Sequence, residues 1–251
     1  MKRWRARGLP GLALVLVGVL PVSRADDRHV FEGAVDISAI AVSSPFTNWL
    51  DEGQGKLRFD EGDGTLQFSR AFLEYRGRMT STVVAHAVAN VQDGKDKLLD
   101  LTEAYVEWRP VPRTAWRLRS RIGAFYPKLS LENVAAGWTT PYALSASAIN
   151  TWIGEELRTK GAELRLSRTL PDLPWAQEFA VEGAIFYGND PTGALLNTRG
   201  WSIGDRQTGL TSSLTLPQVP AIEPWIPSPQ NPAGFRPFRE IDHNAGFYAG
   251  A

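Results

Sequence analysis

Two neighbouring segments decide the fold: Leu-Thr-Glu-Ala-Tyr-Val-Glu-Trp-Arg at 101–109 and Ala-Trp-Arg-Leu-Arg-Ser-Arg-Ile-Gly-Ala at 115–124. Two kinds of side chain alternate along both, and this period of two is typical of β-strands, whose successive side chains point to opposite sides of a sheet. One side of the predicted hairpin carries Glu103, Tyr105, Glu107, Arg109, Arg117, Arg119 and Arg121. The other carries Thr102, Ala104, Val106, Trp108, Trp116, Leu118, Ser120, Ile122 and Ala124. We therefore predict a two-sided hairpin.

The turn sets the predicted pairing of this hairpin. If residues 110–114 form the turn, carboxylates lie opposite arginines and relieve the repulsion among three arginines on one side. The same register pairs two tryptophans beside the turn, where a membrane-interface girdle would need them. The predicted pairs are Glu107 with Arg117, Tyr105 with Arg119, Glu103 with Arg121, and Trp108 with Trp116.

Alternation does not say which side faces inward. A soluble barrel encloses its apolar side, whereas a membrane barrel turns it toward lipid and keeps polar residues in a wet lumen. We favour the membrane barrel, because charged residues facing lipid at mid-depth would cost about 2–4 kcal/mol each. Trp108 and Trp116 are then membrane-interface residues, and the charged side lines a pore. An ordinary solvated sheet of a periplasmic protein stays open as an alternative.

Alternating segments recur along the chain, with turn signals between them. We predict strands at 30–42, 65–78, 80–92, 98–109, 115–125, 158–168, 177–187, 207–216 and 241–250. The sixth and seventh add Glu163, Arg165 and Glu182 to the predicted pore lining. Long loops alternate with short turns in several places, as in transmembrane barrels. We expect the longest loop, 126–157, to contain a short helix within 143–154 and to fold inward over the pore.

The first 25 residues have the form of a cleavable signal peptide. Four basic residues within the first seven precede an uncharged run at 9–22, which is too short and too interrupted for a comfortable transmembrane helix. Cleavage after Ala25 would remove five of the 27 basic residues and none of the 27 acidic ones, leaving 22 basic and 27 acidic residues and a net charge of −5. An acidic mature protein at 26–251 argues against nucleic-acid binding.

Few residues could carry covalent or metal chemistry. The chain has no cysteine and three histidines, His29, His86 and His243, and none of these lies in a catalytic or metal-binding spacing. We therefore predict no catalytic residue, no metal site and no cofactor, and we interpret His86 as a polar residue of the pore.

Two segments carry a family resemblance: Glu-Ala-Tyr-Val-Glu-Trp-Arg at 103–109 and Arg-Ile-Gly-Ala-Phe-Tyr-Pro-Lys-Leu-Ser-Leu-Glu at 121–132. They resemble Gram-negative outer-membrane porins of the phosphate-selective O/P-like group, and the resemblance extends over roughly 65–190. It implies a homotrimeric, water-filled β-barrel of about sixteen strands that passes small, often anionic solutes. The basic ladder of such porins maps here to Arg117, Arg119 and Arg121. Because nine strands leave open edges, we expect an incomplete N-terminal part of a barrel or one that a partner closes.

These observations give a leading hypothesis and an alternative. The leading one is an outer-membrane porin that lets small hydrophilic solutes diffuse through a lumen lined by glutamate and arginine. The alternative is an outer-membrane barrel enzyme or surface-binding protein whose lumen is plugged.

Overall fold

The computed structural model describes residues 14–18, 28–43, 45–61, 66–92, 97–127, 132–143, 145–151, 158–171, 178–192, 201, 206–214 and 235–251. These residues form one antiparallel sheet of nine strands, each paired with its neighbours in chain order. The strands are β1 (Leu14–Gly18), β2 (His29–Ala39), β3 (Leu66–Arg78), β4 (Val83–Gln92), β5 (Leu99–Trp108), β6 (Trp116–Phe125), β7 (Thr159–Thr169), β8 (Glu178–Tyr187) and β9 (Gly246–Gly250). The sheet is open, since β1 and β9 have one neighbour each.

The predicted all-β, antiparallel architecture is confirmed, but the set of strands differs at two places. Residues 14–18 of the predicted signal peptide form β1 on the edge of β2, and cleavage after Ala25, which stays a prediction, would leave β2 at that edge. The other residues of that peptide lie outside the described ones. The strand predicted at 207–216 is wrong, because the described residues 206–214 form a loop whose polar groups bind other strands, and β9 pairs directly with β8.

Two register shifts let the sheet keep one apolar face. A shift between Asp36 and Ile37 places Ile37 opposite Phe68, and both are exposed on the same side as Val35 and Leu73. A second shift, between Val88 and Ala89, does the same for Leu99 and Leu101 of β5. Extra residues of this kind are β-bulges, which realign the side chains that follow them.

The predicted register of the β5–β6 hairpin is wrong by four residues. Glu107 lies opposite Arg121, Tyr105 opposite Gly123 and Trp108 opposite Ser120. Trp116 instead lies opposite Arg168 of β7, so the two tryptophans are not a cross-strand pair. Gly123 has φ +137°, and a Cβ there would lie 2.3 Å from the carbonyl oxygen of Ala104, so this position requires glycine. A shift by an even number leaves every side chain on its predicted side.

Apart from the sheet, the described residues contain only short helical turns: Trp49–Asp51, Ala136–Trp138 and Asp190–Thr192 are 3-10 turns. Residues 148–151 are helical, within the helix predicted at 143–154. In the described part of the chain, no helix is long and apolar enough to cross a membrane. A small buried apolar cluster lies in the loops, where Trp49 and Leu214 pack with Leu50 and Phe235.

Candidate functional site

The sheet has a charged face that is buried in its centre and an apolar face that is exposed. The charged face, named here for its side chains, comprises Glu32, Asp36, Arg70, Glu74, Arg76, His86, Glu103, Tyr105, Glu107, Arg117, Arg119, Arg121, Glu163, Arg165 and Glu182. The apolar face comprises Val35, Ile37, Phe68, Leu73, Val106, Trp108, Ile122, Leu164, Leu166, Val181, Ile185 and Phe247, all exposed.

Adjacent residues show how completely burial is inverted. On β6, Arg121 is 3% exposed and the next residue, Ile122, is 65% exposed. On β7, Glu163 is 2% exposed and Leu164 is 53% exposed. Isolated buried charges are strongly unfavourable, so the charged face must satisfy its groups internally.

Glu163 of β7 is the centre of the ion-pair network. Arg121 donates two hydrogen bonds to its carboxylate, from Nε to Oε1 at 2.7 Å and from Nη2 to Oε2 at 2.7 Å. This bidentate geometry is the strongest form of the arginine–carboxylate pair. Arg119 lies 3.6 Å away, and the Tyr248 hydroxyl of β9 donates to the same carboxylate. Residues from two other strands, β6 and β9, therefore converge on the carboxylate of Glu163.

Other arginines are shared between carboxylates. The guanidinium of Arg165 donates to Glu182 at 2.8 Å and to Glu178 at 3.0 Å. Glu107 accepts a hydrogen bond from Arg109 and lies 3.7 Å from Arg119. Arg119 and Arg165 are direct cross-strand neighbours, and these carboxylates relieve their repulsion.

The network continues over β2 and β3, which the predicted pore lining does not include. Arg70 pairs with Asp36 at 2.9 Å, and Arg76 links Glu74 at 2.6 Å to Glu32 at 3.2 Å. By simple counting, Phe68 falls on the charged side of β3 and obscures its alternation. The register shift places Phe68 on the apolar face. Charged residues at the even-numbered positions 70, 74 and 76, together with the acidic residues at 32 and 36, were the signal available in the sequence.

Three of the predicted pore-lining arginines differ sharply in their surroundings. Arg121 is buried and bidentate with Glu163. Arg119 is partly buried at ion-pair distance from two carboxylates. Arg117 is exposed, forms no hydrogen bond or ion pair with the other described residues, and acts on Glu178 only through a longer-range electrostatic interaction. Of these three arginines, Arg117 is therefore the one that presents a largely uncompensated cation to solvent.

Two loop segments pack against the charged face. The backbone N–H of Gly137 donates to Glu74 Oε2 at 2.7 Å, and that of Tyr126 donates to Glu103 Oε1 at 2.9 Å. A Cβ at Gly137 would meet the Phe72 ring at 2.5 Å, so the loop lies directly on the sheet. Residues 126 and 137 of the predicted 126–157 loop thus contact the charged face, and the folding of this loop over a pore stays a prediction.

The second segment, 206–214, reaches the far side of the same face. Gln207 accepts a hydrogen bond from Asn90 at 3.2 Å and donates to the carbonyl groups of Gly137 and Trp138, each at 3.1 Å. Asp100 accepts hydrogen bonds from Thr211 and Ser212. The two segments are joined to each other and to the sheet by polar contacts.

Among the described residues, three carboxylates outside the charged face lie close together. Asp190, Glu240 and Asp242 each offer an oxygen within 4.8 Å of the others. Asp190 accepts from the backbone N–H of Asp242 at 3.3 Å, and Glu240 accepts from that of Gly188 at 2.8 Å. The backbone N–H of Asn244 donates to Asp242 and lowers the pKa of its carboxyl. These bonds tie the two ends of the β8–β9 connection together.

No protein-family model matches this chain, and neither curated proteins nor solved structures give a match.

Proposed function

We propose that this chain forms part of the wall of an outer-membrane porin, with the apolar face toward lipid and the charged face toward a water-filled path for small hydrophilic solutes. The observation that carries the proposal is the inverted burial of the two faces across β2 to β9. A sheet in water gains its stability by burying apolar side chains, whereas this sheet exposes them and encloses its charges.

The surroundings that suit such a sheet are hydrocarbon on one side and polar groups on the other. Exposed apolar patches of this extent favour contact with lipid or with another protein. Lipid also requires that every backbone polar group be paired, so the proposal requires strands beside the outer edges of β2 and β9 once the predicted signal peptide, which contains β1, has been cleaved. The outer-membrane location, the total of about sixteen strands and a homotrimer come from the sequence resemblance and belong to the proposal.

Solutes would pass by diffusion, with no covalent step. The ten predicted pore-lining residues all lie on the charged face or at its turn end, where Arg109 pairs with Glu107. Because most of these arginines are neutralised by carboxylates, the face offers a balanced field with a local excess of positive charge at Arg117.

The direct test is the electrical conductance of the purified, detergent-folded protein in a planar lipid bilayer. We expect stepwise, ohmic currents carried by small ions. Membrane-inserted, folded protein that carries no current would reject the porin function.

The lipid-facing side is tested separately by Ile122→Arg and Leu164→Arg. Each places a charge in the middle of the apolar face, which should cost about 2–4 kcal/mol of folding free energy in lipid vesicles. Val111→Arg, in the exposed β5–β6 turn, is the matched control and should fold normally. If all three variants fold equally well, the apolar face is not in contact with lipid.

The alternative is a surface-binding barrel whose lumen is plugged. It is favoured by the two segments at 132–139 and 206–214, which cover the charged face with polar contacts. Membrane insertion without conductance, together with failure of the Arg variants to insert, would favour this alternative over the porin. An enzymatic version would require hydrolysis of lipid or peptide substrates by the purified protein.

A further inference from the structure

His86 lies between the two carboxylates that hold the β6–β7 loop. Its Nδ1 is 3.7 Å from Glu74 and its Nε2 is 3.5 Å from Glu103. Glu74 accepts the backbone N–H of Gly137, in the middle of the loop, and Glu103 accepts that of Tyr126, at its start. The imidazole also stacks on Tyr105, with ring centres 4.5 Å apart. One imidazole ring therefore lies beside two of the groups that hold the loop, while Arg121 and Gln207 bind carbonyl groups of the same segment.

The two carboxylates differ in their other partners. Glu74 has a permanent cation, Arg76, at 2.6 Å. Glu103 is buried, and in the described part of the chain no arginine or lysine lies within ion-pair distance of it. A buried carboxylate without a counter-charge is unfavourable, so the charge of Glu103 is balanced only when His86 carries a proton.

The other groups that face His86 come from β3, β5 and β6, and from β4 itself. On β3, Arg76 is its direct cross-strand neighbour beside Glu74. On β5, Tyr105 is opposite it, with Glu103 and Glu107 two residues to either side. From β6, Arg121 reaches the Tyr105 ring at 5.6 Å but is bound to Glu163. The neighbouring residues of β4 on this face, Val84 and Val88, are uncharged.

We propose that His86 is a proton-controlled latch for residues 126 and 132–139 of the β6–β7 loop. With a proton, the ring forms ion pairs with both anchoring carboxylates. Without it, Glu103 is a buried, uncompensated anion, and moving the loop away to admit water relieves this. The loop is therefore held more tightly when the ring carries its proton than when it does not.

The latch is tested by the mobility of a nitroxide spin label in the detergent-folded protein, a measurement that does not depend on conductance. The chain has no cysteine, so Val134→Cys, at a position 64% exposed, gives a single label on the loop. We expect the mobile fraction of the spectrum to rise at least about twofold between pH 5.5 and 8.0. A label at Val111→Cys, in the β5–β6 turn, should show no change.

Variants assign the response to this ring. His86→Gln should leave the loop as mobile at pH 5.5 as the parent is at pH 8.0, whereas His29→Gln and His243→Gln should keep the parent's response. Glu103→Gln retains an oxygen that accepts from Tyr126 but has no charge to leave unbalanced, so the loop should stay held at pH 8.0.

Three outcomes overturn the latch. They are a loop label that does not respond to pH, a response that survives in His86→Gln, and a Glu103→Gln loop that is released at pH 8.0 like the parent's. The second would place the titration on another group. None of the three bears on whether the protein conducts ions.

Discussion

Arg121 and Arg117 lie on the same strand and the same face, yet they belong to different regions of the molecule. Arg121 lies in the buried centre, and its Nε and Nη2 both donate hydrogen bonds to Glu163. Arg117 lies near the β5–β6 turn, exposed and without a hydrogen-bonded carboxylate among the described residues. A basic residue on this face is therefore a structural group in the centre and a solvent-facing charge at the turn end, and the sequence pattern alone treats them alike.

The largest expected effect is on the buried centre. Arg121→Met leaves Glu163 as a buried carboxylate without its bidentate partner, which should cost about 3–5 kcal/mol of unfolding free energy. Reversible urea unfolding in lipid vesicles measures this loss. The double variant Arg121→Met with Glu163→Met should recover a large part of it, because both charges are removed together. A loss below about 1 kcal/mol for the single variant would place Arg121 among the exposed charges.

The register that brings Arg121 opposite Glu107 is tested by Gly123→Ala. Its Cβ would meet the backbone of Ala104 in a conformation that alanine rarely adopts, and we expect a loss of about 1–3 kcal/mol in the same unfolding measurement. Gly183→Ala on β8 is the matched control, because the nearest atom to its Cβ would be 3.6 Å away. Similar stability losses for the two variants would mean that close packing at Gly123 does not fix the register.

The smallest expected effect on stability is at the turn end. Arg117→Gln should change the unfolding free energy by no more than about 0.5 kcal/mol, because the side chain is exposed and makes no ion pair with the described residues. In a conducting pore it should nevertheless shift the reversal potential toward cation preference. Arg168→Gln is the control: Arg168 lies on the apolar face, opposite Trp116, at the same level of the sheet. If the reversal potential shifts equally in both variants, Arg117 does not line the conducting path.

How much of the charged face could be predicted is clearest on β5, β6 and β7. Glu103, Glu107, Arg121 and Glu163 were placed on one face from alternation, because side-chain direction in a strand depends only on whether a position is odd or even. The partners of these residues could not be predicted from alternation. The predicted pairs Glu107 with Arg117 and Glu103 with Arg121 gave way to Glu107 opposite Arg121 and to Arg121 bound to Glu163, since pairing depends on turn length and on which strand lies next.

In the β2–β4 region, even the face of a side chain could not be predicted from alternation alone. Arg70, Glu74 and Arg76 share a face with Phe68 by simple counting, and only the register shift beside Asp36 separates them. The loop contacts were equally inaccessible, since the bond from Gly137 to Glu74 joins residues 63 positions apart. Contacts at such separation depend on the path of the whole chain.

The amino-acid sequence by itself determined that this protein is an antiparallel β-structure with one charged and one apolar face, because the period of two is a local property of the strand backbone. The tertiary structure alone decided the register, the partner of each arginine, the seat of the loops on the charged face and the contrast between Arg121 and Arg117. The physical reason is that an even shift in register preserves every face while exchanging every partner, so only the packed sheet selects among pairings that the pattern leaves equal.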